Sequence, residues 1–291
     1  MSNIINWDNL RIFLSAARKN NIADAAIDLK LDETTVARRI KRLEEDLGQI
    51  LFEKHRRGHQ LTNAGTQLLE KCEEVELQTG SIFGRKFDND RNIKGTIRLS
   101  AAEGFGANIL TKTISKFHKL YPDIEIDLVS GSGFLSLSRR EADIAIGLSK
   151  PKSKLIISRP LLEYELGLYC SKNYEKAANI KEKNDLENHT LIGYVDDLIY
   201  APELRYFEEV FPYFKPRLRC SSIIAKKNFV EQGVGIAILP NFIADNNLTR
   251  LLANEISISR TFWLSSHKSI IDTKRYRVFE KFLFENIKSK I

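Results

Sequence analysis

The sequence predicts an α/β protein in two parts: an all-α head closed by a β-hairpin and, behind one long linker helix, a larger α/β domain. Three observations predict this. At 291 residues, 43% of them hydrophobic, the chain is long enough to build about two cores. Over the first fifty residues the apolar positions recur at helical spacings of three and four. Beyond Gly95 short apolar strands alternate with helical stretches, the pattern of an open α/β sheet.

The head reads as three helices. Leu10, Phe13, Leu14 and Ala17 draw a buried stripe on the first. Asn21 caps a second, Ile22 to Leu29, whose Ala25 and Ala26 let another helix approach closely. Lys30 and Leu31 form a turn, and Asp32 caps a third helix in which Val36, Ile40, Leu43 and Leu47 repeat at four, three and four before Gly48 stops it.

The opposite face of the third helix carries Thr35, Arg38, Arg39 and Arg42 at i, i+3, i+4 and i+7, with Thr34 at its leading edge. Short hydroxyls at a helix start with guanidinium forks a turn later suit the major groove of double-stranded DNA, where Arg matches guanine O6 and N7. The same residues also fit a plain solvated basic face. The residues after Gly48 favour the groove. Leu51 to Lys54 and His59 to Leu61 read as two strands around a turn, giving a basic wing whose Lys54, Arg56 and Arg57 can reach phosphates. Net charge decides little: the chain carries +7, yet residues 1–65 hold 11 Lys/Arg against 9 Asp/Glu.

Thr62 caps a helix running from Asn63 into the eighties, with Ala64, Leu68, Cys72, Val75 and Thr79 along one seam. On an otherwise charged rod such a seam needs a partner. Pairing with a second copy through Leu68, Cys72 and Val75 is one solution and packing on its own head is the other. Gly80 and Gly84 weaken this helix, and 87–94 reads as a polar hinge.

In the second part, Thr96 to Ala101 reads as a strand, Asn108 to Tyr121 as a helix, Ile124 to Val129 as a strand, Phe134 to Glu141 as a helix and Asp143 to Gly147 as a buried strand. A ligand is expected at the carboxyl ends of such strands. Gly131-Ser132-Gly133 is too short for a dinucleotide fingerprint. The five histidines form no triad or metal spacing, so no enzyme, metal or cofactor is expected. Cys72, Cys170 and Cys220 are odd in number and far apart, as reduced structural cysteines are. No stretch approaches the roughly 20 apolar residues that cross a bilayer, so a cytoplasmic protein without a membrane partner is expected.

Several segments resemble the LysR-type transcriptional regulators: Ala25-Ala26, TVARRI, RLEEDLG, Leu51-Phe52-Glu53, and Leu61-Thr62 before Ala64-Gly65 match their winged helix-turn-helix. YPDIEIDLVSG, LSRREADIAIGLSKP, ELGLYCSKNY, LIGYVDDLIYAPELRYF and VEQGVGIAILPNF match the effector-binding region in order. Two departures stand out. Asp32-Glu33-Thr34 replaces a common Ser-Gln-Pro or Ser-Gln-Ser, and Ala37 a common Ser.

The resemblance implies a DNA-binding head over 1–65, a linker and dimerisation helix with hinge over 66–94, and an effector-binding domain over 95–291. The last would be periplasmic-binding-protein-like, with one subdomain of 95–152 and 267–291 and another of 158–266. It implies effector contacts at Ala102, Glu103, Gly104 and Phe105, at Ser130, Gly131 and Ser132, at Tyr194, Val195 and Asp196, and at Gly233, Val234, Gly235 and Ile236. Each of these could instead be a plain turn. Glu103 and Asp196 would repel an anion, so either the effector is neutral or cationic, or both side chains point elsewhere. A homodimer or homotetramer on double-stranded DNA, answering to a small-molecule effector and engaging RNA polymerase, is the implied assembly. The alternatives are a redox-responsive regulator using Cys170 and Cys220 and, more distantly, a solute-binding protein.

Overall fold

The computed structural model describes residues 6–19, 21–55, 58–84, 93–131, 137 and 141–287. Two compact units divide the chain, Met1–Asp88 and Asn89–Ile291.

The first unit follows the helical periodicity. It contains α1 (Trp7–Lys19), α2 (Ile22–Leu29), α3 (Glu33–Leu47), β1 (Phe52–His55), β2 (Gly58–Leu61) and α4 (Asn63–Gly84). The expected caps form. Asn21 accepts from Ala23 N at 3.0 Å, and Lys30 ends α2 in the left-handed region at φ 55°. Asp32 accepts from Thr35 N at 2.8 Å, and Gly48 ends α3 at φ 64°, a conformation that glycine takes without steric cost. Glu44, in the last turn of α3, accepts from Leu51 N at 2.7 Å and so ties the helix to the hairpin, in which Phe52 faces Leu61 and His55 faces Gly58.

The linker helix packs on the head. Cys72 is buried with Phe13, Leu14, Ala17, Leu43 and Leu51, and Leu68 packs on the same cluster. Arg18 of α1 reaches Glu76 at 2.6 Å and Glu73 at 3.6 Å, which clamps α4 to the head. Leu68 and Cys72 therefore contribute to the head's own core. The physical reason is that the apolar spacing of α4 serves either partner equally, and α1 with α3 supplies one already. Val75 lies outside that cluster and is 36% exposed. The expected hinge falls largely on residues outside those described.

The second unit is built on one mixed sheet. Its elements are β3 (Gly95–Ala102), α5 (Glu103–Phe105), a π-helical turn (Gly106–Leu110), α6 (Thr111–Leu120), β4 (Ile124–Gly131), β5 (Ile144–Gly147), β6 (Ile156–Ser171), β7 (Leu191–Tyr194), α7 (Tyr206–Val210), β8 (Leu218–Cys220), α8 (Ile223–Glu231), β9 (Ile236–Pro240), β10 (Leu248–Leu251), β11 (Ile258–His267) and α9 (Lys274–Ile287). Strand order is β4-β3-β5-β11-β6-β9-β7-β8, with β10 pairing β6.

The long strands β6 and β11 pair over most of their length and join two halves. One half is β3, β4 and β5 with α6 and α9, and the other is β7, β8, β9 and β10 with α7 and α8. Their register shifts between Phe262 and Trp263. Phe117 meets Phe279 at 4.9 Å, which seats α9 on the first half.

Helix formation after β3 starts earlier than periodicity suggests. The helical run begins at Glu103 and absorbs the glycines of Gly104-Phe105-Gly106, so the expected loop is the first turn of a helix. Close packing explains those glycines: a Cβ at Gly106 would lie 2.3 Å from Ser130 Oγ. The helix expected over Phe134 to Glu141 lies almost wholly outside the described residues.

Candidate nucleic-acid interface and ligand cleft

Burial of Val36, Ile40 and Leu43 fixes the rotation of α3 and leaves Thr34, Ala37, Arg38, Lys41 and Arg42 exposed on one face. Asp32 sets where that face begins. It accepts from the Thr34 hydroxyl at 2.5 Å and the Thr35 hydroxyl at 2.9 Å, and these bonds hold its carboxyl down to about 2. Arg38, Lys41 and Arg42 make no hydrogen bond or ion pair among the described residues, so their donors are available. Arg39 differs: it is half-buried and donates to Asn9 at 3.2 Å, bracing α3 against α1. Lys41 belongs to the exposed face but escapes a sequence pattern built only on arginines and hydroxyls. Lys54 lies on β1, whereas Arg56 and Arg57 fall outside the described residues.

A cleft lies between the two halves of the second unit, lined by Ala102, Glu103, Gly104 and Phe105 on one side and by Tyr164, Tyr194, Tyr200, Tyr206, Ile223, Phe242 and Phe262, among others, around the rest. Phe105 is fully buried, 4.4 Å from Phe262 and 6.3 Å from Phe242, and Tyr164 stacks on Phe262 at 4.3 Å. The free volume is about 40 Å³, against roughly 300–1,000 Å³ in ordinary small-molecule sites. The cleft is closed.

Glu103 helps to close it. Its carboxylate accepts from Ser222 Oγ at 2.7 Å and Ile223 N at 2.9 Å, at the start of α8 in the opposite half. Burial, with Glu103 nearby, pushes the Tyr200 hydroxyl up to about 12. Behind the wall sits Lys226, 1% exposed, its ammonium 3.2 Å from the Tyr194 ring centre and donating to Tyr206 Oη at 3.2 Å. It has no carboxylate partner among the described residues, and burial pushes it down to about 7.

Comparison with known proteins agrees with both halves of this geometry. Residues 7–66 match the model for "Bacterial regulatory helix-turn-helix protein, lysR family", and 90–288, more than half of the chain, match "LysR substrate binding domain". The chain belongs to the LysR family. It is similar to the Mau operon transcriptional activator of Paracoccus denitrificans, 26% identical over 92% of each chain. It is similar also to the regulator CrgA of Neisseria meningitidis serogroup C, 25% identical over 97% of each. Among solved structures, CrgA from Neisseria meningitidis superposes with a TM-score of 0.60 at 24% identity, over 97% of this chain and 99% of that one. A full-length OxyR variant from Pseudomonas aeruginosa gives 0.72 at 16%, over 99% of both. The LysR-family chain is thus a DNA-binding transcriptional regulator with an effector-binding α/β domain.

Within this LysR-family fold several expected contacts sit outside the cleft. Asp196 is exposed and lines a separate cavity of about 240 Å³ with Phe207, Phe211, Phe214 and Arg219, because the chain turns into a short 3-10 helix there. Val195 N donates to Cys220 O, tying that turn to β8. Gly233, Val234, Gly235 and Ile236 lie beyond the far end of α8. Pro240 lines the cleft, and Ile236 is four residues back along β9, roughly 13 Å away. Gly233 at φ 71° makes the helix-to-strand turn, and a Cβ at Gly235 would lie 2.2 Å from Thr190 O. Ser130 and Gly131 end β4 on the sheet edge, where Ser130 Oγ donates to Glu103 O at 3.3 Å, and Ser132 lies outside the described residues.

The Cys170–Cys220 redox pair is also corrected. Cys170 is on β6 and Cys220 on β8, with β9 and β7 between them, so three strand spacings, roughly 14 Å, separate them. A disulfide needs Cα atoms within about 7 Å. Burial also pushes both thiols up, away from the reactive thiolate. Among the described residues no cluster could hold a metal ion, and no helix is long and apolar enough to cross a membrane.

Proposed function

We propose that this regulator reads base edges with Thr34, Thr35, Arg38 and Arg42 of α3, with Lys41 beside them, while Lys54, Arg56 and Arg57 of the hairpin grip phosphates. One observation carries the reading: the capped, core-locked α3 presents cations with unused donors on a single exposed face. Arg39 is assigned to bracing that helix through Asn9. A small-molecule effector enters the cleft beside Phe105 and Tyr164 and shifts the balance between DNA-bound arrangements. The protein acts in the cytoplasm as a homodimer or homotetramer, without catalysis, and communicates with RNA polymerase.

The test is site selection with randomised duplexes. Arg38→Ala is expected to cost about 1–3 kcal/mol at the preferred sequence and to relax one position of the motif. Arg57→Ala is expected to weaken all sequences alike. An unchanged motif for a folded Arg38→Ala protein removes that residue from base reading.

A further inference from the structure

We propose that the cavity beside α7 is a second small-molecule site, built for a zwitterion: a free α-amino acid with an apolar or aromatic side chain. It lies outside the cleft, and neither its lining nor its charge depends on the cleft being the effector site.

Every residue lining this cavity comes from 194–219, in the second half of the domain, whereas the cleft joins both halves. Among the described residues the two share only Tyr194 and Leu204. With about 240 Å³ free against about 40 Å³, the cavity is the roomier, just under the roughly 300 Å³ at which drug-sized sites begin. Its floor is aromatic: Phe207 meets Phe211 at 5.2 Å, and Phe211, 2% exposed, meets Phe214 at 5.8 Å. Its shape is set in advance. Pro212 and Pro216 fix the backbone of the turn that carries Phe214 and Lys215, and Pro216 fills the place of a side chain at Gly193, where a Cβ would lie 2.4 Å from its Cγ. A preformed wall spares a ligand the cost of ordering it.

The rim carries charge of both signs. Arg205 and Glu208 pair with each other at 3.0 Å. Asp196, Lys215 and Arg219 also line the cavity, and none of their side chains makes a hydrogen bond or ion pair among the described residues. Arg219 is the middle residue of β8 and stands beside Gly193 in the parallel register, so the strand neighbour that could answer it has no side chain. Asp196 follows three residues past Gly193, at the start of a 3-10 turn. A purely anionic ligand would be repelled by Asp196 and a purely cationic one by Lys215 and Arg219. An α-amino acid answers both signs, its ammonium toward Asp196 and its carboxylate toward Arg219 and Lys215, with its side chain on the phenylalanines.

Calorimetric titration of the full chain tests this with three probes of one shape: L-phenylalanine, 3-phenylpropanoate, which lacks the ammonium, and 2-phenylethylamine, which lacks the carboxylate. L-Phenylalanine is expected to bind saturably, and each single-charge probe about tenfold more weakly, as the loss of a charged hydrogen bond implies. Asp196→Asn should weaken L-phenylalanine by a similar factor without weakening 3-phenylpropanoate. Arg219→Gln should weaken it likewise without weakening 2-phenylethylamine. Neither side chain bonds to another group among the described residues, so both variants should keep the wild-type melting point. Binding of L-phenylalanine that both substitutions leave unchanged would put the amino acid elsewhere and overturn the proposal. So would a wild type that binds 3-phenylpropanoate or 2-phenylethylamine as tightly as L-phenylalanine, or that binds none of the three. If a variant does not fold, the wild-type ranking of the probes decides.

Discussion

Phe105→Ala is expected to destabilise the effector domain by about 3–5 kcal/mol, as large-to-small changes of buried aromatics do. The ring is fully buried, comes from the first half of the domain and packs on Phe262 and Phe242 of the other strands and turns. Removing it leaves a void beside a cleft that is otherwise only about 40 Å³, so two effects are expected together. The denaturation midpoint of this unit falls while that of the head stays put, and the cleft admits apolar probes that wild type excludes. Phe105→Leu should recover most of the loss. A change below about 1 kcal/mol would show that the aromatic cluster does not hold the halves together.

Lys226→Met is expected to act in the other direction. Burial lowers Lys226 from 10.5 to about 7, with Cys220 pulling weakly the other way; the groups facing the ammonium are Tyr194, Tyr206 and Cys220. Between those two values the unfolded chain holds a proton that the folded chain releases, so stability rises as pH goes from about 7 to 10.5. Below about 7 both states are protonated and the full burial penalty remains. At roughly 1.4 kcal/mol per pKa unit that penalty is on the order of 5 kcal/mol, from which up to about 2 is subtracted for the cation–π contact that methionine cannot make. The variant should therefore melt higher than wild type at pH 6 and lose the wild-type rise in stability toward pH 10. A variant with the wild-type pH profile would mean that Lys226 is not the group responsible.

The local structure was legible because it is set by neighbours in sequence. Asn21, Asp32 and Gly48 cap as their types and positions indicate, and Val36, Ile40 and Leu43 fix which face of α3 is exposed. Ambiguity entered where one pattern has two physical solutions, as in α4, whose apolar stripe suits a twin or the head. What could not be read were bonds between distant positions. Glu103 and Ser222 are separated by 119 residues, and nothing near either announces the other. Lys226 was readable in principle: Ile223, Lys226 and Val230 recur at three and four, which places the lysine on the buried face of α8. Family likeness fixes the position of Asp196 in the chain but not its surroundings, a short 3-10 turn beside a second cavity.

That α3 grips DNA with its exposed cations is tested most directly by the salt dependence of binding. Dissociation constants of the full chain for a selected duplex, measured from 50 to 200 mM salt, should show log affinity falling linearly with log salt, with a slope of about 0.9 per phosphate neutralised. Alanine at Arg38, Lys41 and Arg42 together should weaken binding, flatten that slope and erase the preference over a scrambled duplex. An unchanged slope and preference in the folded triple variant would contradict a DNA-gripping α3.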